Sequence, residues 1–443
     1  MLKQGFIAEL VARIDELEGS NVRVCGWLHS VRDVGRIKFL VIRDRTGTIQ
    51  AVFKRGCCDE EKFRRAGKLR LETVLCVDGE LVRGRTKEGV ELRARDYAVL
   101  SEPVEPLPLE PATSHEAGLA TRLNYRWLDT RNPRVTGIFI VEAAVARAFR
   151  EYYRERGFVE IFTSKIVAAG TESGAEVFPV IYFGREAYLA QSPQFYKQMA
   201  VIGGFERVYE IGPVFRAEPH HTTRHLTEYH SLDIEMGFIE GPEDVMREVE
   251  GFFRRVRSDL LGDQVTRSVL EMYGIDDIRI PREIPRITMR EAYKVLEERY
   301  GKKLPYGEDL DPEAERLLGR YASEEYDSDF IFVTEYPWGS RPFYTMRLES
   351  EPDWTTGFDL LYRGLEVVTG SQREHRLDRL MANIRDKGLE PESFKFYLDF
   401  FKHGAPPHGG AGMGLERIVM QTLRLGNIRE ARLLPRDPER LTP

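Results

Sequence analysis

Apolar and polar residues alternate with a period of two through much of the first hundred residues, which predicts short β-strands. The alternating stretches begin at Val22, Arg36, Thr48, Val74 and Glu91. A helical pattern over 59–69 separates the third stretch from the fourth, and 45–47 is typical of a hairpin turn. Five strands with one helix in this place predict an OB-type β-barrel, a fold whose open face commonly binds single-stranded nucleic acid. A barrel that serves only as a spacer is the alternative.

The pattern changes after a stretch with four prolines at 102–111, which predicts a stiff, extended connection. Residues 135–157 then have the 3.6-residue period of a long helix, and strands alternate irregularly with helices to the C-terminus. We therefore predict an α+β chain. Its parts are an OB-fold barrel (1–105), a linker or hinge (106–131) and a domain with an antiparallel sheet flanked by helices (132–443).

Length and composition allow this organisation. The chain has 443 residues, 42% of them hydrophobic, which is enough for two or three domains with a large core. No apolar run approaches the roughly 18 residues that a membrane span needs, and the first residues lack the layout of a signal peptide. We expect a soluble, cytoplasmic protein that has no membrane partner.

The charge is unevenly distributed. The net charge of −7 argues against indiscriminate binding of nucleic acids. Residues 1–105 carry 20 Lys and Arg against 17 Asp and Glu, a net charge of +3, whereas the remainder carries −10. The N-terminal part is therefore the better candidate for contact with phosphates.

The four cysteines, Cys25, Cys57, Cys58 and Cys76, form no C-x-x-C pair. Two adjacent cysteines do not easily join one compact zinc site. We therefore expect reduced, inert thiols rather than a structural metal.

Two separate segments are rich in arginine, glycine and acidic residues. In the first, 206–217 alternates as a strand does, so Val214 and Arg216 would share one face. The planar guanidinium of Arg216 could hold a phosphate through two hydrogen bonds. In the second, 409–417, glycines let the backbone come close to a ligand before a helix that begins near Leu415. Together the segments predict a site that binds a nucleoside triphosphate with arginines.

These two segments resemble motifs 2 and 3 of the class II aminoacyl-tRNA synthetases. The segments 191–197, 362–366, 371–375 and 406–410 narrow the resemblance to the aspartyl-tRNA synthetases, and the match covers nearly the whole chain. The family's reaction joins ATP and L-aspartate into aspartyl-adenylate, then moves the aspartyl group to the 3′-terminal adenosine of tRNA. Such activation needs alignment and neutralisation of phosphate charge rather than a strong nucleophile.

The resemblance implies a catalytic group of Arg216, Arg417 and Glu366. The implied ATP site consists of Arg216, Glu218, Arg224, His225, Leu226, Tyr229, Glu366, Gly414, Leu415, Glu416 and Arg417. In this assignment Arg216 bridges the substrate α-carboxylate and the α-phosphate, Arg224 holds the outer phosphates, and Arg417 covers the γ-phosphate and one face of adenine. Glu366 and Thr369 are the implied Mg²⁺ contacts, since oxygen ligands suit a hard ion. For any single arginine, a surface ion pair is the alternative.

Four histidines, His220, His221, His225 and His230, raise the question of zinc. His221 and His225 lie four apart, but the expected strand–loop setting removes the helical face that makes this spacing useful. We therefore disfavour zinc and assign His225 to ATP phosphates.

The resemblance also implies an aspartate site, made of Glu172, Ser192, Gln194, Lys197, Arg216, Asp233, Thr369 and Arg373. Lys197 and Arg373 would surround the side-chain carboxylate, and Asp233 would meet the α-ammonium. Glu172 lies in a glycine-punctuated loop, 170–178, that resembles the family's mobile loop over the amino acid; a plain connecting loop is the alternative. A doubly cationic pocket facing a neutral amide would leave charge unpaired, which could reject asparagine by roughly 10⁴.

The resemblance assigns the barrel to the tRNA anticodon, with contacts from His29, Arg32, Phe39, Gln50 and Arg85. Phe39 would stack on a base and Gln50 would read one by hydrogen bonding. A core position for Phe39 is the alternative, because a register shift of one residue changes its face.

The chain resembles the compact archaeal type of these enzymes, which some bacteria also carry. Relatives strict for aspartate tRNA tend to have tryptophan at the position of His29 and lysine near 84–85. His29 is typical of relaxed enzymes, so we predict charging of both tRNA(Asp) and tRNA(Asn). The sequence leaves a tRNA-dependent amidotransferase partner open.

The segment 158–166 resembles motif 1, but Ser164 replaces the proline that the family places at its dimer interface. The long preceding helix still fits, so we predict a homodimer. The alternatives for function are an asparaginyl-tRNA synthetase, an aspartate–ammonia ligase-like enzyme and a non-catalytic RNA-binding paralogue. The ammonia ligase shares the catalytic core but has no barrel, and the paralogue would lack the ATP-binding side chains.

Overall fold

The structure is a computed structural model, and it describes residues 3–86, 88–168, 176–219 and 222–443. The chain divides into two compact units, Met1–Thr136 and Gly137–Pro443. Glu172, His220 and His221, named above as candidates, lie outside the described residues.

The first unit is built around a closed five-stranded barrel. Its helices and strands are α1 (Ile7–Ala12), α2 (Ile14–Leu17), β1 (Asn21–Asp33), β2 (Ile37–Asp44), β3 (Gly47–Lys54), α3 (Glu60–Ala66), β4 (Val74–Arg83), β5 (Val90–Ser101), α4 (Leu119–Asn124) and α5 (Arg126–Asp129). The strand order is β1-β2-β3-β5-β4, with α3 between β3 and β4. Alternate residues such as Val24, Leu40 and Phe53 fill the interior. The predicted OB-fold is confirmed.

Two of the four cysteines are joined. Cys25 on β1 and Cys76 on β4 are direct partners in the antiparallel pair and form a disulfide. The expectation that all four thiols are reduced is therefore wrong for this pair. The two residues are 51 positions apart in sequence, and only the strand register brings their Cα atoms to 4.0 Å. Cys57 and Cys58 are free thiols.

The second unit contains a large sheet with helices packed against it. Its elements, with the helix that leads into it, are α6 (Pro133–Glu155), β6 (Val159–Glu160), β7 (Ile166–Val167), β8 (Pro179–Tyr182), β9 (Arg185–Leu189), α7 (Gln194–Ala200), β10 (Arg207–Phe215), β11 (Glu228–Gly237), α8 (Pro242–Gly262), α9 (Gln264–Met272), β12 (Arg286–Thr288), α10 (Met289–Tyr300), α11 (Pro312–Tyr326), β13 (Phe330–Thr334), β14 (Phe358–Tyr362), β15 (Leu365–Gln372), α12 (Leu377–Asp386), α13 (Lys395–Phe401), β16 (His408–Gly414) and α14 (Leu415–Leu423). The helices predicted for 135–157 and from Leu415 are observed as α6 and α14.

The eight strands of the large sheet have the order β12-β13-β14-β15-β16-β11-β10-β6. All neighbours are antiparallel except the outermost pairs, β12–β13 and β10–β6. The predicted antiparallel sheet flanked by helices is thus confirmed for its central strands and extended by a parallel strand at each edge. Phe149 of α6 and Phe252 of α8 are buried in the core that the helices form with the sheet. The central strands β11, β15 and β16 carry the site described next.

No described helix is both long enough and apolar enough to cross a membrane.

Candidate active site

The second unit contains a pocket of about 320 Å³ on the sheet, lined by residues of β11, β15, β16, α7 and α14 and of the segments that connect the elements. The predicted aspartate and ATP residues that line it are Ser192, Gln194, Lys197, Arg216, Glu218, Arg224, His225, Leu226, Tyr229, Asp233, Glu366, Thr369, Arg373, Gly414, Glu416 and Arg417. Leu415 does not line the pocket, because its side chain lies in the hydrophobic core. A pocket of this volume is within the usual range for small ligands.

Arg216 follows directly after the last residue of β10. Its backbone N–H donates to the carbonyl of Thr227 over 2.9 Å. Hydrogen bonding between the two backbone segments of β10 and β11 therefore continues past Phe215, the last residue of β10. Its guanidinium carbon lies 5.8 Å from the ring centre of Tyr229, and Nη1 lies 4.0 Å from the Glu218 carboxylate. The arginine is therefore anchored by a sheet while its charged end faces the pocket.

Arg417 reaches the same pocket from the first turn of α14. Its Nη1 donates to the carbonyl of Glu366 over 2.9 Å and lies 3.4 Å from the Glu366 carboxylate. The glycines before it have two roles. Gly412 lines the pocket, whereas a Cβ on Gly410 would lie 2.2 Å from the carbonyl of Ile234. Glycine is thus required partly for close packing of β16 on β11, and not only for approach to a ligand.

The outer part of the pocket holds Arg224 and His225. Arg224 forms two hydrogen bonds with Glu315 of α11, at 2.8 and 3.0 Å. Burial raises the pKa of Glu315, although Arg224 opposes this shift. Nδ1 of His225 lies 2.6 Å from Oγ1 of Thr222. Arg224 is therefore held beside the pocket by a buried carboxylate.

Two cations line the inner part of the pocket, Lys197 and Arg373. They pair with two carboxylates, of which Asp233 lines the pocket and Glu235 does not. Lys197 Nζ lies 2.8 Å from Asp233 and 3.5 Å from Glu235, and Arg373 bonds Glu235 at 3.0 and 3.2 Å. All four side chains are buried. Burial favours a higher pKa for Glu235, but Arg373 and Lys197 outweigh it and hold the pKa below its usual range. The sequence prediction missed Glu235, although an acidic residue two positions after Asp233 on the same strand face was a usable signal.

Oxygen atoms suited to a divalent ion lie on neighbouring strands. Glu366 and Thr369 line the pocket on β15, and Asp359 of β14 is the direct partner of Thr369. Arg341 donates to both Thr369 and Asp359. The second oxygen of Asp359 is buried and has no hydrogen-bond partner among the described residues. This donor set fits Mg²⁺. The sequence prediction missed Asp359, whose acidic side chain within the apolar run 358–362 could have drawn attention.

A second group of possible metal ligands is already occupied by an arginine. One ligand atom each of Glu142, His230 and Glu416 lies within 4.8 Å of the others. Arg432 donates to Glu416 over 3.0 Å and also contacts His230. Arg432 supplies positive charge to this group, and Glu142 and His230 do not line the pocket, so we assign no metal here.

The predicted anticodon residues lie on the barrel of the first unit. Arg32 and Phe39 are direct partners on β1 and β2, with the guanidinium 5.2 Å from the ring centre. Gln50 is the partner of Val41, which puts it on the same face as Phe39. Phe39 is only partly buried, while its neighbours Lys38 and Leu40 point inward. Arg32, Phe39 and Gln50 therefore lie together on one outward face of the barrel.

His29 lies at an irregularity in the β1–β2 register between Leu28 and Ser30. Its Nδ1 is 3.1 Å from Nη1 of Arg43, and burial together with Arg43 lowers its pKa. Arg85 is exposed in the connection between β4 and β5. A bulge commonly redirects a side chain, which accounts for the position of His29 beside Arg43.

The antiparallel sheet with arginines and paired cations around one pocket defines an enzyme that activates a carboxylic acid with a nucleotide. Comparisons with known proteins agree. Residues 118–438 match the family described as tRNA synthetases class II (D, K and N), and 22–100 match the OB-fold nucleic acid binding domain. The chain belongs to this class II tRNA synthetase family.

Individual relatives are similar over their full length. The chain is 66% identical to an aspartate–tRNA(Asp/Asn) ligase from Aeropyrum pernix and 45% identical to an aspartate–tRNA(Asp) ligase from Pyrococcus abyssi, each alignment covering 100% of both chains. The solved asparaginyl-tRNA synthetase from Pyrococcus horikoshii, complexed with asparaginyl-adenylate, is 33% identical, with a TM-score of 0.91 and 100% coverage of both chains. Fold similarity thus extends to enzymes for both amino acids.

Proposed function

We propose that this chain is an aspartate–tRNA ligase. It joins L-aspartate and ATP into aspartyl-adenylate and pyrophosphate, and then transfers the aspartyl group to the 3′-terminal adenosine of tRNA. The observation that carries this proposal is the buried pair of cations, Lys197 and Arg373, in a pocket that also contains Arg216 and Arg417. Once Asp233 pairs with the substrate ammonium, Glu235 is the one carboxylate of this group left for the two cations, so a substrate side-chain carboxylate balances their charge and an amide does not.

In this proposal the outer region of the pocket binds ATP and the inner region binds aspartate. Arg216, between the inner and outer regions, aligns the α-carboxylate of aspartate with the α-phosphate of ATP. Tyr229 and Arg417 hold adenine, Glu218 meets its amino group, and Arg224 with His225 binds the outer phosphates. Glu366 and Thr369, supported by Asp359, would hold Mg²⁺, which supplies positive charge against the phosphates. Asp233 and Gln194 meet the amino-acid end of the substrate.

The first part of the chain, 1–105, is the anticodon-binding domain in this proposal, 106–131 is the linker, and 132–443 is the catalytic domain. Phe39, Arg32 and Gln50 provide stacking and hydrogen bonding for anticodon bases. His29 in place of tryptophan favours relaxed recognition, so tRNA(Asp) and tRNA(Asn) are both substrates. The name of the relative from Aeropyrum pernix supports the same choice.

Charging of tRNA(Asn) with aspartate would need a second enzyme that amidates the attached aspartate, so we expect a tRNA-dependent amidotransferase in the same cytoplasm. We also propose a homodimer formed through the motif 1 region. Phe162 in this region is 81% exposed and Val159 is 43% exposed, which leaves apolar surface for a second copy to cover.

Aminoacylation of separate tRNA(Asp) and tRNA(Asn) transcripts with L-aspartate tests the proposal. Charging of both supports relaxed specificity, charging of tRNA(Asp) alone refutes it, and charging of neither refutes the ligase assignment. The similarity to an asparaginyl-tRNA synthetase keeps that enzyme as the second candidate, and it would charge tRNA(Asn) with asparagine instead.

A further inference from the structure

A chain of buried polar groups leads from the amino-acid pocket to the start of β16. Gln194 lines the pocket, and its Nε2 donates to Oε1 of Gln198 over 2.9 Å. Nε2 of Gln198 lies 2.8 Å from Nε2 of His408, and Nδ1 of His408 lies 2.8 Å from the carbonyl oxygen of Pro406. Gln198 and His408 have no exposed surface.

The carbonyl of Pro406, at one end of this series of hydrogen bonds, determines which group donates and which accepts at each step. A carbonyl oxygen only accepts, so Nδ1 of His408 carries a proton. In a neutral imidazole Nε2 then has a lone pair and accepts from the Gln198 amide. This turns the Gln198 oxygen toward Gln194, whose NH₂ group donates to it. Because the NH₂ group of Gln194 is directed at Gln198, the amide oxygen of Gln194 is the atom that faces the pocket.

The protonation state of His408 agrees with this arrangement. Burial lowers its pKa, and the carboxylate of Glu235 offsets this effect only in part. The backbone carbonyl of His408 also accepts from the N–H of Arg373 over 2.8 Å, which fixes the histidine beside the cationic end of the pocket.

The orientation of the Gln194 amide matters because of the chemistry of aspartate. The substrate has two carboxylates, which accept hydrogen bonds, and one α-ammonium group, which donates them. An amide oxygen facing the pocket can pair only with the ammonium. If the amide were turned, its NH₂ group would face the ammonium, and two donors would oppose each other.

We propose that His408 is a positioning residue for amino-acid recognition, which through Gln198 holds the Gln194 oxygen toward the substrate α-ammonium. This inference rests on the proposed aspartate ligase function. His408 does not touch the substrate and acts through the two amides. Loss of its acceptor nitrogen would let both amides turn, which weakens binding of the ammonium and leaves the contacts to the carboxylates in place.

Three variants separate this role from a general contribution to packing. His408→Met removes the acceptor nitrogen but retains apolar volume. His408→Gln places an amide oxygen near the position of Nε2 and so restores an acceptor. Tyr397→Phe is the matched control, because the Tyr397 hydroxyl donates to the same Gln198 oxygen over 3.1 Å, yet its loss does not free the amide to turn.

The measurements are the KM for aspartate and the KM for ATP in ATP–pyrophosphate exchange, and the inhibition constant of succinate, which has both carboxylates but no ammonium. We expect His408→Met to raise the KM for aspartate roughly tenfold or more, with the other two constants within about twofold of the unaltered enzyme. His408→Gln should recover most of the loss, and Tyr397→Phe should resemble the unaltered enzyme.

The proposal is overturned if His408→Met leaves the KM for aspartate unchanged, weakens succinate by the same factor, or does no more than Tyr397→Phe. Should His408→Met not fold, Gln198→Met removes the acceptor for Gln194 and must show the same ammonium-specific loss. The unaltered enzyme tests the underlying function separately. Absence of aspartate-dependent exchange there refutes the ligase assignment, whereas normal exchange with unselective variants refutes only the role of His408.

Discussion

Nζ of Lys197 lies 2.8 Å from Oδ1 of Asp233, and both side chains are buried at the inner end of the pocket. Together with Arg373 and Glu235, they form a group with no net formal charge before substrate binds. An entering β-carboxylate can use the two cations, while Asp233 becomes available to the substrate ammonium. The pocket is thus prepared for a substrate with charges of both signs.

Lys197→Met tests this arrangement. The change leaves the buried carboxylates short of one cation, so we expect kcat/KM for aspartate to fall by at least about 10³ and the free energy of unfolding to fall by about 3 kcal/mol. Exchange kinetics and chemical denaturation measure the two effects. Lys165→Met is a matched control, because Lys165 pairs with Glu210 at 2.9 Å and does not line the pocket. Equal loss of kcat/KM in both variants would remove Lys197 from substrate recognition.

Arg216→Lys keeps the charge but removes the planar, two-pronged donor. Because the proposed role is to join a carboxylate to a phosphate, we expect ATP–pyrophosphate exchange to fall by at least about 100-fold. The melting temperature should change little, since the backbone hydrogen bond to Thr227 is unaffected. Exchange at an undiminished rate would show that Arg216 has another role.

The disulfide between Cys25 and Cys76 should stabilise the barrel. It closes a loop with a sequence separation of 51, and for such a loop the chain-entropy model gives about 4 kcal/mol. We expect Cys25→Ser to lower the midpoint of barrel unfolding without reductant, whereas Cys58→Ser, at a free thiol, should not. Thiol titration of the denatured protein checks the pairing itself: two reactive thiols support it, and four would contradict it.

Glu142 predicts a pH-dependent effect on stability. Burial is the larger cause and the negative charge of Glu416 the second; together they raise the pKa of Glu142 from an ordinary value of 4.5 to about 7. Between these pH values the unfolded chain releases a proton that the folded chain retains. The free energy of unfolding therefore falls as pH rises, and the whole loss due to Glu142 is reached above about pH 7.

Glu142→Gln removes this penalty. The variant should match the unaltered protein near about pH 4 and exceed its unfolding free energy by an amount on the order of 3 kcal/mol near about pH 8. Chemical denaturation across this range provides the measurement. Unfolding free energies that differ by a constant amount at all pH values would show that Glu142 titrates normally.

The relation between sequence and structure differs from feature to feature. The alternation that begins at Val22 is enough to predict β1, because one face of each barrel strand is buried. Arg216 and Arg417, about 200 positions apart, could be placed in one site only through resemblance to known motifs. Cys25 with Cys76, and Asp359 with Thr369, depend on which residues lie opposite each other on neighbouring strands. Periodicity within one strand gives the face of each residue but does not tell which residue of the neighbouring strand lies opposite it.

His408 illustrates the same limit at the level of side chains. Its position directly before the glycine pair 409–410 suggests only a strand start. Its hydrogen bond to Gln198 joins β16 to α7 across 210 positions of sequence. The orientation of an amide is determined by such partners, so it becomes visible only in three dimensions.

The central claim is that a pocket with two buried cations selects an acidic amino acid. ATP–pyrophosphate exchange by the purified chain, with L-aspartate and L-asparagine compared, tests it most directly. We predict exchange with aspartate and a kcat/KM for asparagine lower by roughly 10⁴. Exchange supported by asparagine as well as or better than by aspartate would contradict the account.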